Sequence, residues 1–298
     1  MVAKVITDSC SDITQEEAKR LGITVVPAYV RFGNEVYRDG VDIDSVEFYH
    51  KLENCPVHPS TAAPSPGDFA KAYEIATKET DEIISIHVTS KHSAVYNAAL
   101  VGKEIAETKG CRIEVIDSLG VTMWQGLIAI AAAKAAEAGY NLQQVINKVH
   151  EAIDQMRGLA MLDTLSYAVK GGRLGKAVSA IESLLNVKPF ITLRDGYIRP
   201  VGVARTRSKG VVRLREFLKP ALHVEDIAIV HSSNSEEALS LADYARSLFP
   251  NIMPHIARLG PVLGVHAGPG VLAAVVRGKQ TKPQLAMTSS LTQKSPGV

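Results

Sequence analysis

Ser85-Ile86-His87-Val88-Thr89-Ser90-Lys91-His92-Ser93-Ala94-Val95-Tyr96 runs from an apolar segment through a hydroxyl-rich turn into residues that favour a helix. The apolar segment, Ile83 to Val88, is short and rich in isoleucine and valine, and reads as a buried strand. A helix is expected from about Ser93 to Thr108. A turn of this kind presents free backbone N–H groups and short hydroxyls at a helix N-terminus, which suits an anionic head group.

Working outward, the first half of the chain alternates strand and helix. Lys4 to Thr7 reads as a short strand, and Thr14 to Leu21 as a helix closed by Gly22. Val25 to Phe32 is a β-rich run, Asp68 to Lys78 is helical, and Arg112 to Ile116 is a further strand. Two helices follow, at about Val121 to Ala138 and Leu142 to Met156. In the second, Leu142, Val145, Ile146, Val149, Ile153 and Met156 recur at helical spacing, with Asn141 as the N-cap. Repeated βα units predict a mainly parallel sheet covered on both faces.

After Arg157-Gly158 the rhythm changes. Leu159 to Leu162 is strand-like, and Leu165 to Val169 begins a helix stopped by Gly171-Gly172. Val187 to Leu193, the turn Arg194-Asp195-Gly196, and Tyr197 to Ala204 read as a β-hairpin. Ser208 to Leu218 and Ser235 to Leu248 read as helices, the latter with Ser233 and Glu236 at capping-box spacing. Asp226 to His231, Ile252 to Arg258 and Val271 to Val276 read as strands. The expected organisation is an α/β domain over 1–157, with 22–59 an irregular, helix-poor elaboration of its sheet edge. An α+β domain over 158–279 and a polar tail over 280–298 follow.

Composition removes several function classes. The chain has 298 residues and a net charge of only +2, so nothing electrostatic favours nucleic acid. The densest basic stretch, Arg205, Arg207, Lys209, Arg213 and Arg215, alternates with apolar residues and reads as one polar helix face. Cys10, Cys55 and Cys111 show neither pairing nor CxxC spacing, which argues against disulfides and zinc and fits a reducing cytoplasm. Early acidic residues argue against a signal peptide, and the apolar window Gly126 to Ala136 is too short to span a bilayer. Aromatic residues make up 5%, so the interior is aliphatic, as an ordinary core or the lining of an alkyl channel would be.

Four residues are candidates for a binding site. Thr61, in Pro59-Ser60-Thr61-Ala62-Ala63-Pro64-Ser65-Pro66-Gly67-Asp68-Phe69, and Ser93 carry hydroxyls that can donate to a carboxylate. Hydroxyls beside turns more commonly cap their own backbone, so the residues alone leave both readings open. Arg173 follows Gly171-Gly172, where the chain can bend a guanidinium toward a cleft or leave it on the surface. His266 lies in the glycine-rich Gly264-Val265-His266-Ala267-Gly268-Pro269-Gly270, where a lone histidine is most often a structural hydrogen-bonder. No GxGxxG, GxxxxGK[ST], GxSxG or HExxH pattern is present, and Gly171-Gly172-Arg173-Leu174-Gly175-Lys176 runs into Ala177 where a magnesium-binding hydroxyl would be needed.

These clusters, with Thr7-Asp8-Ser9, Phe32-Gly33-Asn34-Glu35-Val36-Tyr37-Arg38-Asp39-Gly40-Val41-Asp42-Ile43 and Lys170-Gly171-Gly172-Arg173-Leu174, occur in the order seen in the DegV family, which the chain resembles from about residue 4 to about 278. The resemblance implies a non-catalytic protein that holds a long-chain, palmitate-like fatty acid in a buried tunnel between or beneath the two domains. It requires no cofactor or metal beyond that lipid. Thr61 and Ser93 would take the carboxylate, supported by Arg173 and His266. A separate fatty acid kinase would receive the exposed carboxyl, in lipid transport or fatty acid metabolism, with room for a peripheral or transient membrane contact. The chain departs from the family pattern at Ala63, where a glutamine is usual, at Ala267, where a threonine is usual, and at His92-Ser93-Ala94-Val95-Tyr96, where the family has a Leu-Ser-Gly-Thr-Tyr-like run. These departures bear on ligand preference and on the pocket entrance at Ala94. Two other readings stay open: a hydrolase using Ser93, His266 and Asp8 or Asp117, and a regulatory module whose lipid is a structural filler.

Overall fold

The computed structural model describes residues 2–106, 110–173, 187–219 and 223–279. The expected tail at 280–298, the residues after Arg173 in its glycine motif, and the end of the helix expected to reach Thr108 lie outside these.

The first sheet is wholly parallel, in the order β2 (Thr24–Val26), β1 (Lys4–Asp8), β6 (Glu82–His87), β7 (Arg112–Asp117). Its central strands are buried almost throughout, which is why they read as unbroken apolar runs. Helices α3 (Pro66–Ala76) and α4 (Val95–Ile105) cover one face through Phe69, Tyr73, Val95 and Ala99. Helices α5 (Met123–Glu137) and α6 (Leu142–Gln155) cover the other. The expected cap forms: Asn141 Oδ1 accepts from the Gln144 N–H, and Gln144 Oε1 accepts from the Asn141 N–H.

The second sheet is mixed, in the order β10 (Tyr197–Ala204), β9 (Lys188–Arg194), β8 (Met156–Met161), β13 (Leu272–Lys279), β11 (His223–His231), β12 (His255–Arg258). Only β11 and β12 run parallel. The hairpin β9–β10 turns through Asp195 and Gly196, both at positive φ, the backbone that a tight two-residue hairpin turn demands. Helices α8 (Arg207–Leu218) and α9 (Ser235–Leu248) cover its outer face. The arginines of α8 are held by the protein itself: Arg207 bonds Glu237, Arg213 the Val201 carbonyl, and Arg215 the Ser240 hydroxyl.

Helix α5 lies between the two sheets. Every residue in it except Ala131, Lys134 and Glu137 is buried, and its side chains share one core with strands of both layers. A helix apolar on all sides must be covered on all sides, and here two sheets do so. The protein is therefore a mixed α/β structure with a parallel, helix-flanked sheet and a separate mixed-sheet layer.

Four local expectations are corrected. Val25 to Phe32 is two strands, β2 and β3 (Tyr29–Phe32), because Pro27 has no N–H to donate and the Ala28 N–H is taken by Ser9 Oγ. The 22–59 segment is more regular than expected. It holds helix α2 (Ser45–Asn54) and the hairpin β3–β4 (Glu35–Arg38), with β5 (Ser60–Ala62) completing a small antiparallel sheet in the order β4-β3-β5. The Ser233–Glu236 capping box does not form: Asn234 holds the cap position, and Ser233 Oγ accepts from the Gly270 N–H. The strand expected from Ile252 begins only at His255.

Candidate functional site

In the first sheet the chain leaves β1 toward β2 on one side and leaves β6 toward β7 on the other. Loops diverging from neighbouring parallel strands open a crevice at their C-terminal ends, the usual place for a ligand in such sheets. Cys10, just past β1, and Val88, just past β6, line a cavity that is partly open to solvent. The opposite wall comes from the second sheet, through Ala160, Ile191, Val230 and Ala273. Helix α10 (Pro261–Ala267) closes one side with Val262 and Leu263. The lining is overwhelmingly aliphatic.

All four expected residues line this one cavity. Thr61 is placed by β5, where it pairs with Val30 of β3, and its Oγ1 shares a 3.1 Å hydrogen bond with His266 Nε2. Ser93 sits in the turn before α4, a helix with no side-chain cap, and its Oγ accepts from the Val95 N–H at 3.3 Å. The local hydroxyl reading and the site reading therefore both have a geometric basis. Arg173 donates to the Gly171 carbonyl at 3.0 Å and forms no ion pair among the described residues. Gly171 is required where it is, because a Cβ there would lie 2.2 Å from His266 Nδ1.

The electrostatics follow from burial and from Arg173, a cation with no ion pair among the described residues. Burial, then the Arg173 guanidinium and His58, push the His266 imidazole down to about 4, against a smaller opposing effect of the Gly171 backbone. Burial and Arg173 also hold His92 below the usual histidine range. This end of the cavity thus presents one permanent positive charge, two hydroxyls and neutral imidazoles. An anion with an apolar body matches it.

Two carboxylates, Asp39 buried and Asp12 partly buried, set the position of α10. Asp12 accepts from the Gly260 N–H at 2.9 Å and from the Thr122 hydroxyl at 2.5 Å, and Asp39 accepts from the Val262 N–H and the Ser9 hydroxyl. Burial raises the Asp12 carboxyl well above the usual range and moves Asp39 to about 7. Asp12 and Thr122 both have positive φ, rare for a β-branched residue, and the bond between them fixes Thr122 in the cavity wall. Gly264 lets α10 approach α2, since a Cβ there would meet Phe48 at 2.5 Å.

No hydrogen bond joins Ser93 to His266, whose Nε2 is engaged by Thr61. Asp117 accepts from the backbone of Ser90 and Leu119, and Asp8 bonds His87, so neither acid is available to His266. A Ser–His–Asp sequence does occur elsewhere, in Ser85, His87 and Asp8, but all three are fully buried. A second, more open concavity has a mixed polar and apolar lining, and Glu17 there is already paired with His255 and Arg20. Among the described residues no group of three or more His, Cys, Asp or Glu is placed to hold a metal ion, and no helix is long and apolar enough to cross a membrane. The cysteines are free.

Sequence reasoning gave His92 and Cys10 no role, yet both line the cavity. His92 was visible as a departure at a motif position; Cys10 carried no signal.

Comparison with known proteins bears on the family and the fold. A family model described as "Uncharacterised protein, DegV family" matches residues 3–279. A DegV domain-containing protein of Halalkalibacterium halodurans is 34% identical, the match covering 89% of this chain and 95% of that protein. The crystal structure of DegV, a fatty acid binding protein from Bacillus subtilis, superposes with a TM-score of 0.85 at 29% identity, over 94% of this chain and all of that one. A stearic acid-binding protein from Eubacterium ventriosum gives a TM-score of 0.84 at 27% identity, over 92% of this chain and 98% of that one. With the fold, the motif order and these relatives in agreement, the chain belongs to the DegV family.

Proposed function

We propose that this protein binds a long-chain, palmitate-like fatty acid, its tail in the aliphatic cavity and its carboxylate among Thr61, Ser93, Arg173 and His266. The observation that carries the reading is an apolar cavity whose wall brings together uncharged hydrogen-bonding groups and a guanidinium that forms no ion pair among the described residues. The description of the Bacillus subtilis and Eubacterium ventriosum relatives as fatty acid-binding and stearic acid-binding proteins supports it. Each buried methylene contributes about 0.8 kcal/mol, so the tail supplies on the order of 10 kcal/mol before ordering costs. The head group then chiefly fixes orientation.

In this reading residues 1–157 and 158–279 are two units meeting at the cavity, and the protein is a cytoplasmic, non-catalytic carrier. It shields the acid and offers its carboxyl to a separate fatty acid kinase, with membrane contact no more than transient. The test is native mass spectrometry of freshly purified protein, followed by organic extraction after denaturation. A long-chain acid in the extract, and a rise in melting temperature of stripped protein when acid is returned, are the expected results. An extract without lipid, together with no thermal stabilisation by added acid, would defeat the reading.

A further inference from the structure

His92 is tied to the opposite layer by a bond that fixes its chemistry. The backbone N–H of Ile198, in the β9–β10 hairpin, donates to His92 Nε2 at 3.1 Å. An N–H can only donate, so Nε2 must carry the lone pair. In a neutral imidazole the proton is then on Nδ1. Nδ1 has no hydrogen-bond partner among the described residues, and the side chain lines the cavity beside Ser93. The ring is only partly buried and its edge is braced against Tyr197, with centroids 6.1 Å apart and planes at 88°. Thr89 Oγ1 holds the same turn by donating to the Gly196 carbonyl at 3.1 Å. The imidazole is therefore oriented by the protein and has one donor left over.

We infer that His92 Nδ1–H is a further donor to the head group, a residue that favours an ionised carboxylate over an uncharged polar end. The inference rests on the fatty-acid reading and adds to its site a group from outside the four residues already placed there. Arg173 lines the same cavity, and Lys91, next in the chain, and Arg199, on the hairpin, lie over the Tyr197 ring. Burial and then Arg173 oppose protonation of the His92 ring and so keep Nε2 free to accept from Ile198.

The test measures binding of palmitic acid and of hexadecanol to wild type, His92→Leu and His92→Gln. His92→Leu should weaken the acid about tenfold and leave the alcohol nearly unchanged, because only the acid gains a charge-assisted bond. Glutamine, which can accept from Ile198 and still donate, should restore most of the loss. Because the leucine variant also removes the Ile198 tie, nitrogen-15 spectra of the histidine rings in wild type give an independent readout. His92 should show the Nδ1–H tautomer, and its Nδ1 proton should shift with palmitic acid but not with hexadecanol. Equal losses for acid and alcohol, an Nε2–H tautomer, or an unresponsive Nδ1 would overturn the inference while the fatty-acid reading stands. Wild type that binds no palmitic acid would remove that reading, and this inference with it.

Discussion

Two places in the molecule bring serine and histidine together, and only one has the properties of a site. Beneath the first sheet the Tyr73 hydroxyl donates to Ser85 Oγ, Ser85 meets His87 Nε2 at 2.6 Å, and His87 Nδ1 meets Asp8. Asp8 also accepts from the N–H groups of Cys10 and Val88 and from Gln125 Nε2. Ser85, His87 and Asp8 are closed to solvent and fully bonded. At the cavity, Thr61, His92, Ser93 and His266 are only partly buried, and Arg173 has no anionic partner among the described residues. The lesson is that residue type does not separate a strut from a site. Free bonding capacity facing empty space does.

The largest effect that could break this contrast is at Asp8. Asp8→Ala would strand two backbone N–H groups, Gln125 and His87 in a dry interior, and should destabilise by about 3–5 kcal/mol in urea unfolding. The folded fraction should retain its affinity for fatty acid. A loss under about 1 kcal/mol together with loss of binding would place Asp8 in the site and erase the distinction.

Ser93→Ala should act on binding rather than on the fold. Loss of one hydrogen bond to a charged group is about 1.5–3 kcal/mol, so affinity for palmitic acid should fall roughly tenfold to a hundredfold. The methyl ester, which has no charge, should be nearly insensitive. Equal losses for acid and ester would mean that Ser93 works through its bond to the Val95 N–H, as a turn former, and the cavity would lose one of its members.

The smallest effect, and the one that sharpens the contrast, is a pH dependence at His266. Its folded value near 4 lies below the usual 6.5, so between those values the unfolded chain holds more protons than the folded one. Its contribution is complete above about pH 6.5 and is lost as pH falls toward 4, by at most about 1.4 kcal/mol per pH unit. Asp39, raised to about 7, acts with the opposite sign across the same window, so the comparison must be between wild type and His266→Asn. The stability advantage of wild type should shrink on acidification from pH 7 to 5. An advantage constant across that range would show that the ring is not held neutral by its surroundings.

Much of the fold was legible because its signals are local. Asn141 and Gln144 announce a helix start within a few residues, and Asp195-Gly196 announces a hairpin by backbone conformation alone. The helix Ser45–Asn54 was missed because its buried residues, Phe48, Tyr49 and Leu52, make a stripe too short to read without its partner. That partner, α10, lies more than two hundred residues downstream. Ser233 had the right spacing for a cap and lost that role to a contact with Gly270, again a distant competitor. The site divides the same way. Thr61, Ser93, Arg173 and His266 were found through motif resemblance, whereas the tie from Ile198 that orients His92 exists only once the two sheets face each other.

The middle position of β13 in the second sheet has a consequence for synthesis. Leu272–Lys279 is made after every other strand among the described residues, yet it sits between β8 and β11 and hydrogen-bonds to both. Until it leaves the ribosome, the nascent chain carries two strand edges with no partner between them. It also carries a helix, α5, whose second apolar face lacks part of its cover. Such surfaces are what chaperones hold and what neighbouring nascent chains adhere to. The second layer and the cavity wall it forms are therefore completed only once that strand has emerged, and a ribosome stalled before then would display an aggregation-prone intermediate with half a binding site.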